Sequence, residues 1–373
     1  MSKYVLVPDS FKGTMTSREI CEIMQHAIER IDSDAKIISV PVADGGEGSV
    51  DAFLSALGGK RKAITVTGPH FEKLSSSYGI TDDGTAVIEM SACAGLPLVY
   101  GKKNPELTTT YGVGELICNA ARSGARRIVI GLGGSATNDG GGAAAAAGIK
   151  FYDKSGKSFV PVGRTLKDIA SIDYSGLDSA LRGVSISAMC DVDNPLLGET
   201  GAANVFGPQK GANVAMIARL DAGLKHLSEV SGKAKLASMP SAGAAGGMGF
   251  GMMAFFNCPL QMGIDGLLDI IDFESILAGA DLVLTGEGRI DPQSMRGKTV
   301  IGVARRASKC GVPTIAVVGD IADGIESAYD LGVSAIFSIN RVAMERKLIK
   351  LRAKSDMEAT VENIIRAVKA VKL

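Results

Sequence analysis

The sequence is short of the residues on which several enzyme classes depend. Its three histidines, His26, His70 and His226, stand far apart, so histidine-ligated metals and serine–histidine hydrolysis are poorly supplied. The six cysteines, at 21, 93, 118, 190, 258 and 310, include no CxxC pair. That spacing suits neither a zinc knuckle nor a disulfide framework, and a reducing cytoplasm is the expected setting. Lys and Arg number 40, as do Asp and Glu. Without a basic excess, no nucleic-acid partner is expected. No apolar run reaches the roughly 20 residues needed to cross a bilayer, and the opening MSKYVLVPDSF has no export-type apolar core. Neither membrane attachment nor export is expected.

Glycine is what the chain has in excess: 47 of 373 residues, where ~7% is usual, without a repeat period. Apolar residues make up 46% and charged residues 21%, enough to bury a core. The length is more than twice the ~150 residues of a typical domain, so two domains are expected.

The N-terminus reads as strand 4–7, helix 16–30 with Thr16 or Ser17 as cap, strand 36–40 and helix 49–57. That alternation predicts a parallel sheet with helices on both faces. Residues 61–90 break the rhythm with short runs between turn residues, as in an antiparallel meander. A helix over 108–123, a strand at 127–131 and a helix opening at 143–147 follow, and 185–190 and 202–206 are strand candidates. From about 262 the alternation returns: strand 280–284, helix 299–309, strand 314–318, helix 324–331, strand 335–339, closing helix 356–371. The reading is an α/β fold of two domains. A flavodoxin- or Rossmann-like domain is built from 1–62 and 262–373, and a mixed α/β domain, 63–261, is inserted into it.

Ligands of doubly wound sheets bind outside the carboxyl ends of the strands, so the segments after each strand carry the chemistry. They are Asp9–Gly13, Asp44–Gly48, Gly131–Gly142, Cys190–Asn194 and Thr285–Asp291, and each combines carboxylates or glycines with polar side chains. The stretch 131–142 is a glycine-rich turn entering a helix, a form that suits phosphate oxygens, although it is neither a Walker A loop nor a clean GxGxxG. Acids at Asp9, Asp44, Glu47, Asp139, Asp191, Asp193, Glu287 and Asp291, with cations at Lys12, Lys210, Arg289 and Lys298, supply what phosphoryl transfer requires. A dehydrogenase would need an acid about 20 residues beyond the glycines; Asp153 is near that distance, but its sequence reads as a hairpin turn. A non-catalytic sensor of nucleotide or sugar acid is the remaining rival. His26, His226, Cys190 and the 241–253 segment read as packing, and the basic run 341–354 as a solvated face.

The blocks DSFKGTMTS (9–17), PVADGGEGS (41–49), GLGGSATNDGGG (131–142), CDVDNPLLG (190–198), VFGPQKGA (205–212) and LTGEGRIDPQS (284–294) resemble, in order and across nearly the whole chain, those of the bacterial glycerate kinase family, glycerate 2-kinase type. Two departures stand out: Gly68–Glu72 replaces a leucine–glycine turn, and Ser241 stands where the family's pattern has glycine. The resemblance implies transfer of the γ-phosphoryl of ATP to D-glycerate with Mg²⁺, the 2-hydroxyl favoured over the 3-hydroxyl, in a cleft between the domains. It implies that Gly133, Gly134, Ser135, Ala136, Thr137, Asn138, Asp139 and Gly140 cradle the nucleotide and that Lys12 neutralises substrate or phosphoryl charge. Asp191 and Asp291, with Glu287, would hold Mg²⁺ or orient the acceptor, with Asp191 and Glu287 as metal ligands. Asp44 and Arg289 would complete the substrate side. The base stays open among Asp9, Asp44, Asp191 and Asp291, as does the oligomeric state, a homodimer included.

Overall fold

The computed structural model describes residues 1–42 and 48–371. The chain divides into two compact units, Met1–Asp44 with Gly263–Leu373, and Gly45–Met262. The strands of the two main sheets are β1 Lys3–Pro8, β2 Lys36–Ser39, β3 Lys60–Thr67, β4 Lys73–Ile80, β5 Thr85–Glu89, β6 Arg127–Gly131, β7 Ser185–Cys190, β8 Leu260–Met262, β9 Leu282–Gly286, β10 Thr314–Val318 and β11 Ala335–Ser338. The principal helices are α1 Ser17–Ile31, α2 Ser49–Leu57, α3 Tyr111–Arg122, α4 Val214–Val230, α5 Ala244–Phe256, α6 Thr299–Lys309 and α7 Arg346–Val371.

The first unit is a parallel sheet in the order β11-β10-β9-β1-β2. Numbered within the unit this is the flavodoxin order, 2-1-3-4-5 from the other edge. β1 lies between β2, which comes directly after it, and β9, which comes after the whole second unit. The strand order therefore reverses beside β1, and a ligand crevice is expected outside the carboxyl ends of β1 and β9. Tyr4, Val5, Leu6 and Val7 are all fully buried, as a strand covered on both faces requires. α1 begins with a capping box, in which the Thr16 hydroxyl accepts from Glu19 N and the Glu19 carboxylate accepts from Thr16 N. Its apolar stripe of Ile20, Met24, Ala27 and Ile28 shares a core with Met357, Val361, Ile364 and Ile365 of α7.

The second unit carries a mixed sheet in the order β8-β7-β6-β5-β4-β3, antiparallel from β3 to β5 and parallel from β5 to β8. The expected meander is thus β3–β5. A small sheet of Lys150–Tyr152, Ser158–Phe159 and Ser171–Asp173 stands beside it. α2 and β3 belong to this unit, whereas the sequence reading assigned residues up to 62 to the first. The physical reason is local: α2 packs on β4 and β5, and β3 pairs with β4 along its whole length, from Lys60↔Ile80 to Thr67↔Lys73.

Other differences are small. Residues 202–206, read as a strand, form a short helix, Ala202–Phe206, with Ala202 and Ala203 fully buried; two alanines outweigh the β-preference of Val205 and Phe206. The closing helix starts ten residues earlier than expected because the basic run continues it, helped by the Arg352–Asp356 pair at i, i+4. The 241–253 segment is not regularly helical. Ser241 (φ 67), Ala245 (φ 55), Gly246 (φ 69) and Gly247 (φ 88) are left-handed, and α5 is regular only after them. Among the described residues no helix is long and apolar enough to cross a membrane.

Candidate active site

In the first unit, the segments after β1 and β9 touch. Asp9 N donates to Gly286 O at 2.8 Å. Gly288 has no side chain to keep the β1 loop away: a Cβ there would lie 3.4 Å from Phe11 Cα and 3.7 Å from Lys12 N. Glu287 points inward at 7% exposure, and among the described residues its Oε1 has no hydrogen-bond partner. Burial pushes its carboxyl up to about 7, against the Ser294 hydroxyl and Lys298, which favour the ionised form; Asp9 and Asp291 reinforce the rise. Asp291 opens a tight turn, its Oδ1 accepting from Gln293 N at 2.9 Å and Ser294 N at 3.3 Å. Arg289 is exposed, on a two-residue strand paired with Asp320–Ile321. Lys12 is exposed as well. The switch point thus gathers Asp9, Glu287, Asp291 and Lys298, with Lys12 on the adjoining loop.

A buried carboxylate oxygen with no donor, flanked by two further acids, suits a hard divalent cation. Among the described residues no group of three His, Cys, Asp or Glu side chains forms a ready-made metal cage. Mg²⁺ does not require one, because it is commonly held by one or two carboxylates together with substrate phosphates and water.

In the second unit, β6 runs into the glycine-rich loop. Gly133 is half-buried and Gly134 exposed (φ 73), while Ser135, Ala136, Thr137, Asn138, Asp139 and Gly140 are buried. The loop therefore presents Gly133 and Gly134 outward and folds its polar side chains inward. The Asp139 carboxylate accepts from Thr110 N at 2.6 Å and from the hydroxyls of Thr109 and Thr110, which anchors the start of α3. Burial raises its carboxyl to about 6 in spite of these donors. Asn138 is fully buried, and neither of its side-chain polar atoms has a partner among the described residues. Asp191 lies just past β7 and is exposed. Cys190 is buried with its thiol on Val192 O, as packing predicts.

Asp44 and Glu47 lie outside the described residues. The start of α2 is held by a residue the sequence reading did not single out: Glu89, at the end of β5, accepts from Gly48 N at 3.1 Å and Val50 N at 2.7 Å and so caps the helix. A lone Glu ending a strand carries no pattern of its own. Lys210 was legible as a loop cation, but its burial was not. Asp153 sits in a hairpin turn, as its sequence predicts, its carboxylate accepting from Ser155 N and Lys157 N.

Residues 4–369 match the family model described as the glycerate kinase family. A glycerate kinase of Bacillus subtilis is 44% identical over 376 aligned positions, covering 99% of this chain and 98% of the relative. A glycerate 2-kinase of Escherichia coli K12 is 46% identical over 343 positions, covering 90% of each. A crystal structure of a protein from Salmonella typhimurium LT2, provisionally named glycerate kinase 2, superposes with a TM-score of 0.88 at 38% identity, covering 100% of this chain and 99% of that one.

Proposed function

Because the chain belongs to the glycerate kinase family, we propose that it transfers the γ-phosphoryl group of ATP to the 2-hydroxyl of D-glycerate. The choice of hydroxyl is supported by the similarity to a relative named glycerate 2-kinase. The observation that carries the chemistry is the cluster at the β1/β9 switch point, where Glu287 is buried beside Asp9 and Asp291 with Lys298 close by.

In the reaction the acceptor oxygen bonds to the γ-phosphorus as the bond to the β–γ bridging oxygen breaks. The transition state is loose, so positioning and electrostatics supply most of the rate. Gly133 and Gly134 offer backbone to the nucleotide phosphates, and Ser135–Gly140 support them from inside the fold. Lys12 and Arg289 meet the charge of the glycerate carboxylate or of the group in flight. Glu287 would hold Mg²⁺, and Asp191 is the other carboxylate we propose as a metal ligand. Mg²⁺, when bound, neutralises phosphate charge. Asp291 orients the acceptor hydroxyl, whose proton leaves late and needs only a nearby carboxylate. Asp44 completes the substrate side. The compartment we propose is a reducing cytoplasm, in keeping with six free cysteines, five of them buried.

The test is ADP release with ATP, Mg²⁺ and D-glycerate, against L-glycerate and no acceptor, with ³¹P NMR of the product. Glycerate-dependent ADP with phosphorus on C2 is expected. Phosphorus on C3 would keep the kinase and overturn the acceptor. Binding of ATP without turnover would leave a sensor.

A further inference from the structure

The catalytic and binding roles assigned so far leave Lys210 unused, although it is the chain's most deeply buried lysine among the described residues, 2% exposed. It ends the 3-10 turn Pro208–Lys210, which starts with proline and stops at Gly211 in a left-handed conformation (φ 94). From there its Nζ donates to Thr137 O at 2.7 Å and to Ser135 Oγ at 3.2 Å. Both acceptors are neutral. Among the described residues the ammonium makes no ion pair. The Asp139 carboxylate, the one charge that supports it from the loop, is held by Thr109 and Thr110. Lys103, on the neighbouring segment, is exposed and reaches Gln209 O.

An ammonium taken out of water loses far more hydration energy than two neutral acceptors return. If its task were only to fill space, a methionine would do so without that cost. The charge lies beneath a loop whose Gly133 and Gly134 face outward. The same loop is held from another side by the left-handed turn 245–247: Ser135 Oγ donates to Ala245 O at 3.2 Å, and Gly246 lies against Thr137 O. Next to these contacts sits Asn138, fully buried with its amide unpartnered among the described residues. Native interiors rarely leave such a group alone. The cluster is incomplete in both charge and hydrogen bonds, and an anion above the loop would offset the charge.

We propose that Lys210 is a positioning residue for the nucleotide, its buried ammonium fixing the Gly133–Thr137 loop and supplying positive charge beneath the phosphates of ATP. This rests on the reading of that loop as the phosphate site. Burial pulls the free ammonium down to about 7, so a phosphate above it draws a proton onto Lys210 when nucleotide binds. A merely structural lysine would not do that.

The experiment compares the whole wild-type enzyme with Lys210→Met and Gly134→Asp. Aspartate tolerates the left-handed conformation of Gly134 and sets a like charge where phosphates would sit. Calorimetry of ADP binding at pH 7.5, in buffers of different ionisation enthalpy, counts protons taken up. Melting temperature reports folding, and steady-state rates give KM for each substrate. Lys210→Met is expected to fold, to weaken ADP and raise KM for ATP at least ten-fold with KM for glycerate within two-fold, and to abolish proton uptake. If Gly134→Asp weakens ADP while Lys210→Met binds it normally, the role of Lys210 is overturned and the loop reading stands. If both bind ADP as the wild type does, the loop reading falls as well. Should Lys210→Met fail to fold, the wild type decides: no proton uptake near pH 7.5 overturns the proposal.

Discussion

Two glycines of the second unit offer a controlled experiment on the turn behind the glycine-rich loop. Gly232 and Gly246 have nearly the same left-handed backbone, φ 70 and φ 69. Replacing either with alanine costs about 1–2 kcal/mol for the conformation alone. Their surroundings differ completely. Among the described residues a Cβ on Gly232 meets nothing within 4 Å, whereas one on Gly246 falls well inside contact distance of Thr137 O and lies 2.8 Å from Asn138 Cα. Both obstacles are backbone, so no side chain can swing away. Overpacking of this kind costs about 1–3 kcal/mol. A forced shift would also disturb the bonds from Lys210 Nζ to Thr137 O and from Ser135 Oγ to Ala245 O, each worth about 1 kcal/mol. Because the strain is shared, it cancels in the comparison, and Gly246→Ala is expected to be less stable than Gly232→Ala by about 2–5 kcal/mol. For a domain of this size each kcal/mol moves the melting midpoint by roughly 2–4 °C. Differential scanning fluorimetry of the two variants should therefore separate them by at least roughly 4 °C, and Gly246→Ala alone should raise KM for ATP. Equal melting temperatures would refute the claim that the 245–247 turn is seated against the loop.

A buried acid and a strained serine give two further outcomes. The Glu287 carboxyl rises from its ordinary 4.5 to about 7, so the folded chain holds this proton more tightly than the unfolded one. The contribution is full below about pH 4.5 and is lost as pH rises through 7, a change of about 3 kcal/mol at 1.36 kcal/mol per pH unit. Urea midpoints in EDTA from pH 4.5 to 8 should fall for the wild type relative to Glu287→Gln, and parallel curves would contradict the burial argument. Ser241→Gly should gain about 1 kcal/mol by relieving a left-handed serine, while Ser241→Ala, which keeps the strain, should gain nothing; a lower melting temperature for the glycine variant would count against strain at this position.

Much of the fold could be read from the sequence because parallel strands and amphipathic helices leave different periods. Tyr4–Val7 read as a strand, and Thr16 or Ser17 as the cap of α1. The break in rhythm after residue 60 marked the antiparallel strands β3–β5. Ser241 shows how a departure from a family pattern can report geometry: serine stands where glycine is usual, and its φ is 67. Phe71, in the other departing turn, is left-handed as well (φ 66). The unit to which α2 belongs was not legible, because an amphipathic helix does not record which sheet it covers. Nor was the inward turn of the 135–140 side chains, since a glycine-rich loop reads alike whether its hydroxyls face solvent or Lys210. The sequence pointed to the acids of the switch point one by one; only the pairing of β1 with β9 shows Asp9 and Glu287 to be neighbours.

That pairing also sets an order of events during synthesis. β1 is a central strand, yet its partner arrives late: the Thr285 hydroxyl bonds to Val7 O across 278 residues. Every main-sheet strand of the second unit lies between them, in a continuous stretch whose contacts close locally. On a ribosome that emits the chain from its N-terminus, the insert can fold while β1, α1 and β2 still wait for β9. The buried run Tyr4–Val7 stays uncovered on one edge for all that time, and such an edge is open to pairing with other chains. Made before the insert, β1 is thus among the last strands to be locked, and the demand for protection during synthesis falls on residues 1–42 more than on the larger unit made after them.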